Sequence, residues 1–132
     1  MCIIFFWGEE EISYREEAYS IIGCCMEVHK ILGKGFSKIV YKDALQLEFI
    51  SHIISFERER EFDMTYKEQL LPHKYFADFV VANKIILEIK SIEALTDAHI
   101  KQTLNYLAAS KCRLGLLVNF GEDSLKYKRV VL

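Results

Sequence analysis

The chain has 132 residues, of which 52% are hydrophobic and one is proline, enough for one buried core and too few for two. Seventeen Lys and Arg against nineteen Asp and Glu leave a net charge of −2, and no basic run exceeds Lys126-Tyr127-Lys128-Arg129. That balance excludes a broadly basic coat and argues against tight binding of long duplex, while a local groove remains open.

The opening Met1-Cys2-Ile3-Ile4-Phe5-Phe6-Trp7 is apolar. It is too short to span a bilayer and lacks the basic flank and cleavage site of a signal peptide, so no membrane is expected. It reads as an extra strand, as a contact that would make the protein a homo-oligomer, or as an artefactual or poorly ordered start. Residues 1–12 are taken as a tail and 13–132 as the domain.

Acidic Glu9 to Glu11 and Ser13 precede a predicted helix in which Ala18, Ile21, Ile22, Cys25, Val28, Ile31 and Leu32 recur at helical spacing, with Gly33 as its C-cap. Ser37 caps a second helix carrying Val40, Tyr41, Ala44, Leu45, Leu47 and Phe49 to about His52. From Phe56 to Tyr66 the pattern alternates: Glu57, Glu59, Glu61 and Asp63 face water, and Phe56, Phe62, Met64 and Tyr66 face inward with Arg58 and Arg60. Those two arginines could reach a phosphate, but pairing with the neighbouring acids is the simpler expectation.

Phe76 to Val81 and Ile85 to Lys90 then form a predicted hairpin about Ala82-Asn83-Lys84, Asn being tolerant of the left-handed turn conformation. Thr96 and Asp97 start a helix to about Ala109, and Leu114 to Phe120 is a strand. Gly121-Glu122-Asp123 turns into a last strand, Tyr127 to Leu132. The order helix-helix-β-β-β-helix-β-β predicts an α/β fold with a mixed central sheet flanked by helices.

Cys2, Cys24, Cys25 and Cys112 make no C-x-x-C pair and read as reduced thiols of a cytoplasmic protein. His29, His52, His73 and His99 have no zinc-site spacing. His29 at the end of the first helix could approach the site, but a helix-terminal histidine favoured by the dipole is the simpler expectation.

Three ionisable residues interrupt the apolar hairpin: Asp78, Glu88 and Lys90. Charges in buried segments are costly unless paired or metal-bound. A turn centred on Asn83 sets Asp78 opposite Glu88, with Cβ atoms roughly 5 Å apart, and strand alternation puts Lys90 on the face of Glu88. Two carboxylates so close repel unless a proton or cation lies between them, and Mg²⁺ is typically held by one or two carboxylates with water and phosphate oxygens. Such a metal would activate a water and offset charge on an attacked phosphate, with Lys90 orienting the nucleophile or stabilising the oxyanion. The competing account is a Glu88–Lys90 pair on a solvated face with Asp78 as an ordinary edge residue. Gln102 and Tyr106 share a helix face. If it abuts the hairpin, Gln102 would hold the water or the lysine, and Tyr106 would bond a phosphate or stack on a base. Otherwise they are rim and core residues.

Asp78-x9-Glu88-Ile89-Lys90 followed by a helix with Gln102 and Tyr106 resembles the PD-(D/E)XK nuclease superfamily. Nearly the whole chain, from Tyr14 to Leu132, is similar to its GxxExxY family. The matching blocks are Ile21-Ile22-Gly23, Glu27-Val28-His29-Lys30, Gly33-Lys34-Gly35-Phe36, Val40-Tyr41, Tyr75-Phe76-Ala77-Asp78-Phe79, Leu87-Glu88-Ile89-Lys90, Gln102-x2-Asn105-Tyr106-Leu107 and Leu114-Gly115-Leu116-Leu117-Val118-Asn119-Phe120-Gly121. The resemblance implies a restriction-endonuclease-like αβββαβ core and a nuclease that hydrolyses DNA or RNA. Its metal would be Mg²⁺ or Mn²⁺ on Asp78 and Glu88, with Lys90, Gln102 and Tyr106 completing the site. It also carries an alternative, an inactive descendant that binds nucleic acid or protein.

One residue departs from the pattern. The naming motif is Gly35-Phe36-Ser37-Lys38-Ile39-Val40-Tyr41 here, with lysine in place of glutamate. A lysine would repel a divalent ion and could occupy its place beside Asp78 and Glu88. Either the site is weakened, or Asp43 or Glu48 substitutes, or that glutamate was never essential. Asp43 lies roughly 500° around the helix from Lys38, and Glu48 roughly 1000°, about 80° off its face, so neither replaces it cleanly.

Overall fold

The computed structural model describes residues 2–132, with side chains from Tyr14 onward. The expected tail at 1–12 and its apolar opening lie outside the described side chains. Helix α1 (Cys2–Leu32) stops where Gly33 takes φ 68° and its N–H returns to the His29 carbonyl at 2.8 Å, the left-handed cap that glycine adopts without a Cβ penalty. Helix α2 (Lys38–Ser51) follows Ser37 at the N-cap and ends on His52.

The strand after α2 is shorter than its alternation predicts. Strand β1 covers Phe56–Phe62, and the chain beyond it folds into a separate ribbon of β2 (Thr65–Tyr66) and β3 (Gln69–Leu70). Lys67 and Glu68 make the ribbon's turn at φ 49° and 66°, the left-handed pair that a two-residue hairpin loop requires. Alternation continues in sequence through Asp63 and Met64, and so conceals the break.

The central hairpin has the predicted register. Strands β4 (Tyr75–Val81) and β5 (Ile85–Lys90) pair Phe79 with Leu87, Val80 with Ile86 and Val81 with Ile85, symmetrically about Asn83. Ala82 and Asn83 supply the left-handed turn at φ 53° and 58°. Helix α3 (Asp97–Ser110) begins at Thr96, whose N–H donates to His99 Nδ1 at 2.9 Å. Strands β6 (Leu114–Asn119) and β7 (Lys126–Val131) complete the chain.

The five main strands lie in the order β1-β4-β5-β6-β7. Only β5 and β6 are parallel, and α3 connects them, as a parallel crossover needs a long link. One face packs Ile21, Cys25, Val28, Tyr41, Leu45 and Phe49 of α1 and α2 on Phe79, Leu87, Ile89 and Val118. The other packs Leu107 of α3 on Ala77, Val80, Ile86 and Val130. Covered on both faces, β5 reads Ile-Ile-Leu-Glu-Ile rather than alternating. The result is the expected α/β architecture, a mixed central sheet flanked by helices.

Candidate active site

A break in the sheet makes the site. Strict alternation would put Tyr75, Ala77 and Phe79 on one face of β4, yet Tyr75 and Ala77 join the α3 core while Phe79 joins the α1/α2 core. The change of face falls at Asp78. The β1–β4 ladder pairs Arg58 with Phe79 and Arg60 with Ala77, skipping Glu59 and Asp78, and Glu59 has φ 55°.

Freed from the ladder, the Asp78 side chain accepts the Ile89 backbone N–H on Oδ2 at 2.8 Å. Two ammonium groups also reach it. Lys38 Nζ lies 2.9 Å from Oδ2 and Lys42 Nζ 3.0 Å from Oδ1, so each oxygen faces one lysine. Lys42 also contacts Glu59 Oε1. Burial alone would push Asp78 up, but the Ile89 N–H and Lys38 outweigh it and hold the carboxyl below its ordinary value.

Glu88 differs. Its Oε1 accepts the Tyr75 hydroxyl, and its carboxyl hydrogen-bonds Asp78 across the hairpin. Burial and then the Asp78 charge push Glu88 up to about 8, so near neutral pH it can donate its proton to Asp78. Tyr75, raised by burial and Glu88, stays a phenol and a donor; it is stacked between Tyr106, at 3.9 Å, and Phe62, at 5.7 Å.

Lys90, at the end of β5, donates to Gln102 Oε1 at 3.3 Å, so α3 does abut the hairpin. Tyr106 lies near both carboxyls, and burial first, then Glu88 and Asp78, raise its phenol. Its ring is used in stacking on Tyr75. Thus Asp78, Glu88 and Tyr106 converge, and Lys90 and Gln102 pair at the half-open rim.

Sequence pattern assigns no site role to four residues that the structure places here. Tyr75 and Glu59 precede and oppose Asp78. Lys42 lies one helical turn after Lys38 and shares its face, a spacing visible in sequence, but the missing acid directs attention to carboxylates. Asp43 instead binds Arg58 at 2.8 Å. Buried Asn119 bridges the loop after Lys90: it accepts N–H groups of Ile92 and Gly121 and donates to the Ile92 carbonyl and Glu122 Oε2, all within 2.9–3.0 Å.

Elsewhere, Arg60 pairs with Glu57 at 3.3 Å and Asn83 at 2.8 Å. Cys24, Cys25 and Cys112 are free thiols. Cys2 is outside the described side chains. His29 bonds the Glu122 carbonyl at 2.9 Å, which docks α1 on the β6–β7 turn. Tyr41 donates to the Gly33 carbonyl at 2.6 Å and accepts the Phe36 N–H, tying the α1–α2 loop. Among the described residues no helix is long and apolar enough to cross a membrane.

The carboxylates do not fit a resident divalent ion as they stand. Both oxygens of Asp78 are taken by ammonium groups, and Glu88 is engaged by Tyr75 and Asp78. Among the described residues no three His, Cys, Asp or Glu side chains gather as a metal-binding group.

The comparisons agree with this architecture. The family model described as PD-(D/E)XK nuclease superfamily matches residues 15–130. The solved chain titled "Crystal structure of SSO0001" superposes with a TM-score of 0.59 at 20% identity, over 71% of this chain and 50% of that one. This chain therefore corresponds to about half the length of that structure, and the likeness concerns the fold. No curated protein matches the chain.

Proposed function

Because the chain belongs to the PD-(D/E)XK nuclease superfamily, we propose that it is a GxxExxY-type nuclease-fold protein that binds nucleic acid without metal-dependent hydrolysis. The observation that carries this reading is Lys38 Nζ at 2.9 Å from Asp78 Oδ2. The family acid is not merely absent from α2; its replacement supplies a cation to the carboxylate that a metal would need. Phosphate groups would meet Lys90 at the rim, and Phe36 and Phe76 expose rings on which bases could stack.

A second reading, a Mg²⁺- or Mn²⁺-dependent nuclease cutting DNA or RNA, is favoured by the retained hairpin of Asp78, Glu88 and Lys90. A cleavage assay separates them. Single- and double-stranded DNA and RNA are incubated with Mg²⁺ or Mn²⁺ and the parent protein or its Lys38→Glu variant. No cleavage by the parent, with binding retained, is expected. Metal-dependent cleavage by the parent that Glu88→Ala abolishes would establish the second reading instead.

A further inference from the structure

We infer that Lys42 is a second internal cation, clamped between Asp78 and Glu59, which closes the metal position independently of Lys38. The inference deepens the reading above and rests on it.

The two lysines are not equivalent. Lys38 approaches Asp78 with a side chain 43% exposed, so it can swing into solvent, whereas Lys42 is 4% exposed. A buried ammonium requires partners, and Lys42 has two: Asp78 Oδ1 at 3.0 Å and Glu59 Oε1. Lys42, on α2, is thus held to Glu59 of β1 and Asp78 of β4.

Glu59 shows that the clamp is built into the backbone. Its φ of 55° in mid-strand is costly for a residue with a Cβ, and persists only where surroundings enforce it. The same distortion interrupts the β1–β4 ladder opposite Asp78. Glu59 keeps the outward parity of Glu57 and Glu61 and stays half-exposed, while its carboxylate contacts Lys42.

Charge gives the consequence. Two carboxylates, Asp78 and Glu59, meet two ammonium groups, Lys38 and Lys42, so this part of the site is balanced without a divalent ion. Lys38→Glu supplies an acid but leaves the Lys42 ammonium 3.0 Å from Asp78. Restoring the helical glutamate alone therefore does not open the metal position.

The test is Mn²⁺ binding by the full chain, read from free-Mn²⁺ electron paramagnetic resonance and from the melting temperature. The parent, Lys38→Glu and the double variant Lys38→Glu/Lys42→Met are compared; methionine retains an unbranched apolar stem. The double variant should bind Mn²⁺ at least about tenfold more tightly than Lys38→Glu, and lose that binding when Glu88→Ala is added. Equal affinity in the double variant and Lys38→Glu overturns the role of Lys42 while leaving the proposed function, which concerns the parent, standing. Saturable, Glu88-dependent binding by the parent overturns both. Should circular dichroism show the double variant unfolded, Lys38→Glu/Lys42→Gln takes its place, removing the ammonium while keeping an amide donor for Asp78 and Glu59. Tighter binding than Lys38→Glu then supports the clamp, and no gain overturns it.

Discussion

Glu88 lies between a phenol and a second carboxyl group, and its folded-state pKa of about 8 lies above the ordinary 4.5. The sign of the linkage follows. Between those values the unfolded chain releases the proton and the folded protein retains it, so Glu88 draws stability down as pH rises and adds no further loss above about 8. Glu88→Gln keeps an acceptor for Tyr75 and a donor for Asp78 without the titration. Its melting temperature should therefore fall less than the parent's between pH 5 and about 8. Parallel curves would show that the proton is not held there. The hairpin register that brings Asp78 to Glu88 was legible in sequence because a turn centred on one asparagine sets it, whereas Lys90 turns to Gln102 at the rim. Tyr75 was not: its ring and Phe79 share a parity, and only the change of face at Asp78 turns one toward Glu88 and the other away.

At the scale of elements, the site depends on how β5 leaves the sheet. Asn119 at the end of β6 fixes Ile92, two residues beyond Lys90, with both polar atoms of its amide, and Gly121 fits because its Cα lies against that same backbone. A Cβ on Gly121 would meet the Ile92 carbonyl oxygen at 2.2 Å. Backbone cannot yield as a flexible side chain does, so Gly121→Ala should destabilise by about 1–3 kcal/mol or more. Asn119→Ala leaves buried N–H and C=O groups without partners and should cost on the order of 1–3 kcal/mol. Urea unfolding checks both, and amide exchange at Ile92 should quicken in Asn119→Ala; unchanged midpoints would mean that the loop is held from elsewhere. Helix ends at Gly33 and Thr96 were readable because caps are local chemistry. The β2–β3 ribbon was not, because Lys67-Glu68 carries none of the Asn or Gly that ordinarily signals such a turn. The strained Glu59 likewise leaves an unbroken alternation in the sequence.

For the whole molecule, a net charge of −2 conceals opposite sheet edges. Strand β1 exposes Glu57, Glu59 and Glu61 at one edge, and β7 exposes Lys126, Lys128 and Arg129 at the other. Acidic side chains on the β1 edge repel a phosphate backbone and also blunt pairing with another sheet. The site lies toward that acidic side, at the β4–β5 hairpin, and two of the lysines nearest it are committed to Asp78. Few ammonium groups remain for phosphate, so nucleic-acid binding should release few counterions. Anisotropy titrations of a labelled single strand at several salt concentrations should give a log–log slope of about −2 or shallower, at about −0.7 per phosphate neutralised. Lys90→Gln should weaken binding alike across sequences and lower the slope's magnitude by about one contact. A slope of about −6 or steeper would instead require a broad basic surface. The β7 edge, with exposed Lys126, Lys128 and Arg129, would supply it, and loss of that slope in a Lys126→Glu/Lys128→Glu variant would move the binding surface there.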